Sequence, residues 1–219
     1  MNQTPGAIPA RGETRGQLLA AARACLLQEG YARFATRRVA ELAGVPLSQI
    51  SYHFGSKQGL VLALLEEDNR RLLQRQAATF AESMPLSARW DRACDHLEED
   101  LASGYVRVMQ EMIAAGWSDP EVARAVRAGL RGWHDLLTRL AEEAAQRFGG
   151  LGPFTPAEAA ALVGTAFLGS EALILLGHEG ATVPARQALR RVATLLRAFE
   201  GSAPDCPSGL ALHAGTSSG

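Results

Sequence analysis

The chain has 219 residues, 47% of them hydrophobic and 21% charged, and a formal net charge of −1. That is enough apolar material for one or two packed domains and too balanced a charge for a disordered acidic or basic tail. Cys25, Cys94 and Cys206 are odd in number and lack metal-type spacing, which argues against a disulfide framework and for a reducing compartment. The opening residues, MNQTPGAIPARGETRG, hold no apolar signal core, and no uncharged apolar run reaches the roughly 20 residues of a bilayer span. The expectation is a cytoplasmic protein with no membrane partner. Charge is uneven along the chain. Through Leu60, seven arginines and lysines stand against three glutamates, a balance of +4, and the remainder carries −5. A basic head on an acidic body suits a head that meets polyanions.

Residues 1–13 contain Pro5, Gly6, Pro9 and Gly12 and are expected to form a disordered arm. A first helix follows, with Thr14 as its cap, Leu18, Leu19, Ala22, Cys25 and Leu26 at helical spacing, and Gly30 as its end. Thr36 is expected to cap a second helix that buries Val39, Ala40 and Ala43, and Gly44 to stop it in the left-handed conformation. A third, short helix spans about 46–54, with Pro46 in its first turn. Gly55 breaks it, and Ser56 caps a long fourth helix carrying Leu60, Val61, Leu64 and Leu65.

The helical period continues beyond Pro85. One stripe runs through Leu86, Trp90, Ala93, Leu97 and Leu101, and Gly104 permits a break. A second stripe runs through Tyr105, Met109 and Met112 to Gly116. Asp119-Pro120 opens a long helix that Gly149-Gly150 closes. Thr155-Pro156-Ala157-Glu158 is a capping box with proline at the first helical position. That helix is expected to reach Gly177, and a last one opens at residues 182–184 with Leu189, Val192, Leu196 and Phe199 on one face. Residues 201–219 are rich in Gly, Ser, Ala and Pro and are expected to form a disordered tail. No run of alternating β-branched residues appears, so the fold class is all-α, with a three-helix N-terminal domain expected over 14–60 and a larger helical C-terminal domain over 61–200.

The segment from Thr36 to Phe54 is two short helices joined by a tight glycine turn, the arrangement that sets a second helix in a DNA major groove. Its inward positions are Val39, Ala40, Ala43, Val45 and Ile50. Its outward positions suit DNA. Gln49 can pair bidentately with adenine, Ser48 can reach a base edge or phosphate, and Leu47 can touch a thymine methyl. Tyr52 and His53 can donate to phosphates, as can the amides beside Ser56 and Lys57 at the start of the fourth helix. Thr36 and Arg37 sit where the opposite groove wall would present a phosphate.

The pattern ATRRVAELAGVPLSQISYHFGSKQGL resembles the DNA-binding head of the tetracycline-repressor (TetR) family of bacterial transcription regulators. The matching features are Gly30-Tyr31, Thr36, Val39-Ala40, Ala43-Gly44-Val45, Ile50, Phe54, Ser56-Lys57 and Leu60, over residues 13–62. The resemblance implies an all-helical homodimer whose heads bind a palindromic double-stranded DNA operator and whose bodies bind a small molecule that releases the DNA. Two positions depart from the family pattern. Pro46 stands where the family usually has a serine or similar cap, and Ser51 where it usually has a tyrosine. Tyr52 or His53 is then expected to carry the phosphate contact, and the operator sequence stays open.

In the body, small residues from Ala157 to Ala172 allow close helix approach. The family resemblance implies that the last two helices pair across a two-fold axis, with Ala160, Gly164, Phe167, Leu189, Val192 and Leu196 as candidate interface residues. Trp90, His96, Tyr105, Met109, Met112, Trp117, Trp133, His134 and Phe167 are candidates to line a cavity for a largely apolar effector. The spacing of His96, Glu99 and Asp100 would let one helix face bind a metal, but no second ligand cluster accompanies it. No nucleophile elbow, phosphate loop or Cys-x-x-Cys occurs, so no enzyme activity, metal or cofactor is expected. The alternative is an all-helical binding protein or enzyme whose head has lost specific DNA binding.

Overall fold

The computed structural model describes residues 11–81 and 83–202; most of the sequence-predicted arm and tail, with Cys206 and His213, lies outside the described residues. Among the described residues the chain is all-α. Helix α1 spans Arg11–Arg33, α2 Thr36–Ala43, α3 Ser48–Phe54, α4 Lys57–Ala81, α5 Leu86–Ser103, α6 Tyr105–Gly116, α7 Pro120–Phe148, α8 Pro156–Leu175 and α9 Ala185–Ser202.

Several boundaries differ from the sequence reading, each for a local reason. α1 begins at Arg11, so residues 11–13 are helix, and Thr14 is buried inside the first turns instead of capping them. Gly30 does not end α1. It breaks the helix at φ 74°, ψ 169°, and the helix resumes to Arg33. The break frees the Tyr31 amide, which donates to the Glu111 carboxylate from α6. Thr36 is the first residue of α2 and makes no side-chain cap. α3 starts at Ser48 because Pro46 and Leu47 form the turn before it; their carbonyls accept from the Gln49 and Ile50 amides at 3.0 and 3.1 Å. α8 ends at Leu175, two residues before Gly177.

The remaining caps follow the sequence reading. Gly44 closes α2 at φ 66°. Ser56 Oγ accepts from the Gly59 amide at 3.0 Å at the start of α4. Asp119 Oδ1 accepts from the Glu121 and Val122 amides at 2.9 and 3.1 Å, and Pro120 needs no amide partner in the first turn of α7. At α8 the Thr155 amide donates to Glu158 at 2.8 Å while the Glu158 amide donates to Thr155 Oγ1 at 3.3 Å. Thr155→Ala is expected to remove about 1 kcal/mol of stability, read as a lower urea midpoint with an unchanged slope.

Two buried clusters organise the molecule. The first joins the head to the body: Leu18, Cys25, Val39 and Ile50 from the head pack with Leu60 and Leu64 of α4, Met109 and Met112 of α6, and Val122 and Val126 of α7. Polar ties cross the same seam. Arg23 of α1 pairs with the buried Asp68 of α4, whose carboxyl burial pushes above its ordinary range despite the guanidinium. Gln58 of α4 donates to both carboxylate oxygens of Asp119 at 3.1 and 2.9 Å. The second cluster centres on Cys94, Leu97, Val106, Phe167 and Leu189, with Trp90 and Trp133 packed against it. There the Trp90 indole donates to the Leu189 carbonyl at 2.6 Å, tying α5 to α9.

α8 is long and apolar enough, by length and composition, to cross a membrane, yet only 17% of that stretch is buried within the protomer. Its outer face, with Leu162, Thr165, Ala166 and Gly169, is exposed, as are Leu195 and Phe199 of α9.

Candidate DNA-binding face and effector cavity

The head presents one polar face. Ile50 and Val39 are buried, which fixes the rotation of α3 against α2 and turns the sequence-predicted contact residues outward. Pro46, Leu47, Ser48 and Tyr52 are exposed, and Gln49 and His53 are half-buried at the edge of the same face. Thr36 is half-buried, and Arg37 is exposed. The Tyr52 ring meets the His53 ring edge-on at 5.0 Å, so the two aromatic side chains orient each other. Lys57 is exposed, with its ammonium 5.6 Å from the ring centroids of both Tyr31 and Phe34. The head's positive excess is smaller than a count suggests. Arg23 is committed to Asp68, and Arg38 lies 3.9 Å from Glu29 and 3.7 Å from Glu41.

The body holds two adjoining chambers that share Phe80, Ala93, Leu137 and Phe167. The larger, about 220 Å³, lies among α4, α5, α7, α8 and α9, with Trp90, Leu140, Ala160, Val163, Val192 and Leu196 on its walls. Its charged wall residue, Arg89, has its guanidinium held by Glu143 at 2.6 Å and the Met84 carbonyl at 3.1 Å. The smaller, about 60 Å³, adds polar groups: Asn69, Gln76, Asp100, Tyr105 and Glu171. The Tyr105 hydroxyl donates to Asn69 Oδ1 at 3.0 Å, and burial pushes the phenol pKa upward. Gln110 donates to Glu171 at 3.0 Å; burial still pushes the Glu171 carboxyl up to about 7. Asp100 is bonded to Arg75.

Of the sequence-predicted lining residues, the fold brings Trp90, Tyr105, Met109, Trp133 and Phe167 to these chambers. It places four elsewhere. Met112 is fully buried in the head–body cluster, because α6 turns that side toward α1. Trp117 caps the end of α6 and is 84% exposed. His96 is buried on another side of α5, where burial and Arg75 lower its pKa and its Nδ1 has no partner. His134 bonds the Leu130 carbonyl at 2.9 Å and packs under Gly164. Glu99 and Asp100 are both engaged by Arg75, and among the described residues no group of three potential ligands is arranged for a metal.

The candidate interface residues are buried or half-buried in the protomer. Ala160, Gly164, Phe167 and Leu189 face inward and are buried in the protomer, and Val192 and Leu196 line the larger chamber. A Cβ on Gly164 would stand 2.8 Å from His134 Nε2, so that glycine serves the α7–α8 contact. Sequence reasoning missed Glu171, Gln76 and Asn69. A lone glutamate in the apolar run of α8 was the available signal for the first.

Residues 18–64, from within α1 through the first two turns of α4, match the family described as bacterial regulatory proteins, tetR family. The HTH-type transcriptional regulator CymR of Pseudomonas putida is 31% identical over 119 residues, 54% of this chain and 57% of CymR, so the match spans little more than half of that relative. The fold is shared with reduced E. coli NemR, at a TM-score of 0.70 and 19% identity over 84% of this chain and 96% of NemR. It is shared too with FadR of Bacillus subtilis in complex with stearoyl-CoA, at 0.65 and 16% identity over 83% and 96%. With the head's sequence and the helix-turn-helix geometry in agreement, the head of this chain, residues 18–64, is that of the tetR family of bacterial regulatory proteins, and the helical frame of the whole chain is shared with solved regulators of this fold.

Proposed function

We propose that the protein is a ligand-responsive repressor that binds a palindromic operator as a homodimer and leaves it when a small, largely apolar effector enters the body. α4 carries this reading. Its first turn is joined to the end of α3, and its distal residues Leu72, Gln76 and Phe80 line the cavity. With 25 residues it is about 37 Å long, so it spans from head to cavity. An effector that displaces its distal half moves the residues on which α3 rests. The coupling required is about 1–3 kcal/mol. The stearoyl-CoA of B. subtilis FadR is consistent with an apolar effector in a body of this fold.

Leu47, Ser48 and Gln49 read base edges, and Thr36, Arg37, Tyr52, His53, Lys57 and the first amides of α4 hold phosphates. Pro46 shapes the turn that presents α3. The two heads lie about 34 Å apart, one helical turn. The partner packs on the exposed face of α8 and α9. Ala166→Glu, which puts a charge on that face without touching the protomer core, is expected to reduce the mass in sedimentation to that of one 23.3 kDa chain. An undiminished dimer would place the interface elsewhere. The function is tested by selecting duplexes from a random pool at fixed moderate salt, since affinity depends steeply on salt. An enriched palindrome supports the reading; a folded dimer that enriches nothing defeats it.

A further inference from the structure

Resting on the reading that the cavity holds the effector, we propose that the effector is an amphiphilic amine: an apolar body in the larger chamber and one protonated nitrogen in the smaller, on Glu171. The larger chamber offers no seat for an anion. Arg89 presents its stem there, because its guanidinium is taken by Glu143 and the Met84 carbonyl. The smaller chamber offers acceptors. The one hydrogen-bond donor to the Glu171 side chain is the neutral Gln110, and among the described residues no cation pairs with it. Gln76 is 8% exposed, lines the same chamber, and makes no side-chain hydrogen bond among the described residues, so its carbonyl is open to a donor. Trp133 and Phe167 border the chamber, and aromatic faces attract cations. A carboxylate head would meet the like charge of Glu171 and be rejected, since the nearest cation, Arg75, is already paired with Asp100.

The charged and titratable groups facing Glu171 make the site pH-sensitive. Asp100 from α5 adds negative charge but is itself paired with Arg75 of α4, Tyr105 from α6 stays neutral, α4 also supplies the amides of Asn69 and Gln76, and α7 presents an apolar wall. Burial holds the empty carboxyl near 7, and an ammonium favours its charged form. The ionised fraction of such a carboxyl rises about tenfold between pH 6 and 8, while a simple amine stays protonated. Amine affinity therefore rises by about that factor over the same interval.

The test uses the full chain and three probes with one apolar body: phenylbutylamine, phenylbutanol and phenylbutyrate. Binding is read from the fluorescence of Trp90 and Trp133, without DNA. Phenylbutylamine should bind at least about tenfold more tightly than the alcohol, and phenylbutyrate weakest. In Glu171→Gln, shown to be folded by its thermal midpoint, the amine and alcohol affinities should converge and the pH dependence vanish. Equal binding of all three probes would leave an effector cavity intact and overturn the amine assignment, as would an amine preference that survives in Glu171→Gln. Binding of none would overturn both the assignment and the cavity reading, and the operator selection would stand or fall separately.

Discussion

Replacing Gln49 and Tyr52 together with alanine is expected to lower operator affinity by at least about 100-fold while moving the thermal midpoint little. Both side chains lie on the outer face of α3, whose packing is secured by Ile50 on the opposite side. A glutamine paired bidentately with adenine contributes about 1–3 kcal/mol of base discrimination. A hydrogen bond to a charged phosphate contributes about 1.5–3 kcal/mol. A dimer loses each twice, so 100-fold, about 2.8 kcal/mol, is a lower bound. The two single changes should differ in kind. Gln49→Ala should relax the preference at one base pair of each half-site. Tyr52→Phe, which keeps the ring against His53, should weaken all sequences alike. Titration of the selected duplex and its single-base variants separates the cases. If the double change left affinity intact, α3 would not be the element that enters the groove.

The helices were legible because their start and stop signals are local. Asp119-Pro120, the Thr155–Glu158 box, Ser56 and Gly44 each act on amides or carbonyls within a few residues, so the sequence alone identifies them. The head's face was legible for a related reason: short amphipathic helices leave one way to bury Val39 and Ile50. The body was less so. α8 is apolar nearly all round, and such a helix does not announce which side meets its own protomer. Ala160 and Gly164 turn inward and Leu162 and Ala166 outward, a choice made by α7 and not by α8 itself. Met112 and Trp117 share a helical stripe with cavity residues. One is claimed by the head's core, and the other falls just past the last turn of α6.

Gly59→Ala is expected to be the most damaging single methyl in the head, at a cost of about 3 kcal/mol. A Cβ there would stand 2.0 Å from the Phe54 carbonyl oxygen and 3.1 Å from its carbon, which are backbone atoms and cannot rotate away. The end of α3 must then lift off the first turn of α4 by about 1 Å or more to reach ordinary contact. For a chain of this length the thermal midpoint should fall by roughly 6–12 °C. Gly55 provides the control, since it fails for a different reason. It has open space around its Cβ position but sits at φ 74°, ψ −43°, outside the left-handed helical region, so Gly55→Ala should cost about 1–3 kcal/mol, all of it backbone strain and none of it steric overlap. The two changes also separate stability from signalling. Because α3 rests on α4 through the Gly59 contact, Gly59→Ala should lose operator affinity beyond what its remaining folded fraction explains. The cavity, whose α4 wall begins nearly three turns further along, at Asn69, should bind its ligand as before. Operator affinity that merely tracked the folded fraction would mean that α3 follows α4 loosely, and the route from cavity to DNA would have to run through α1 and its contacts with Asp68 and Glu111 instead.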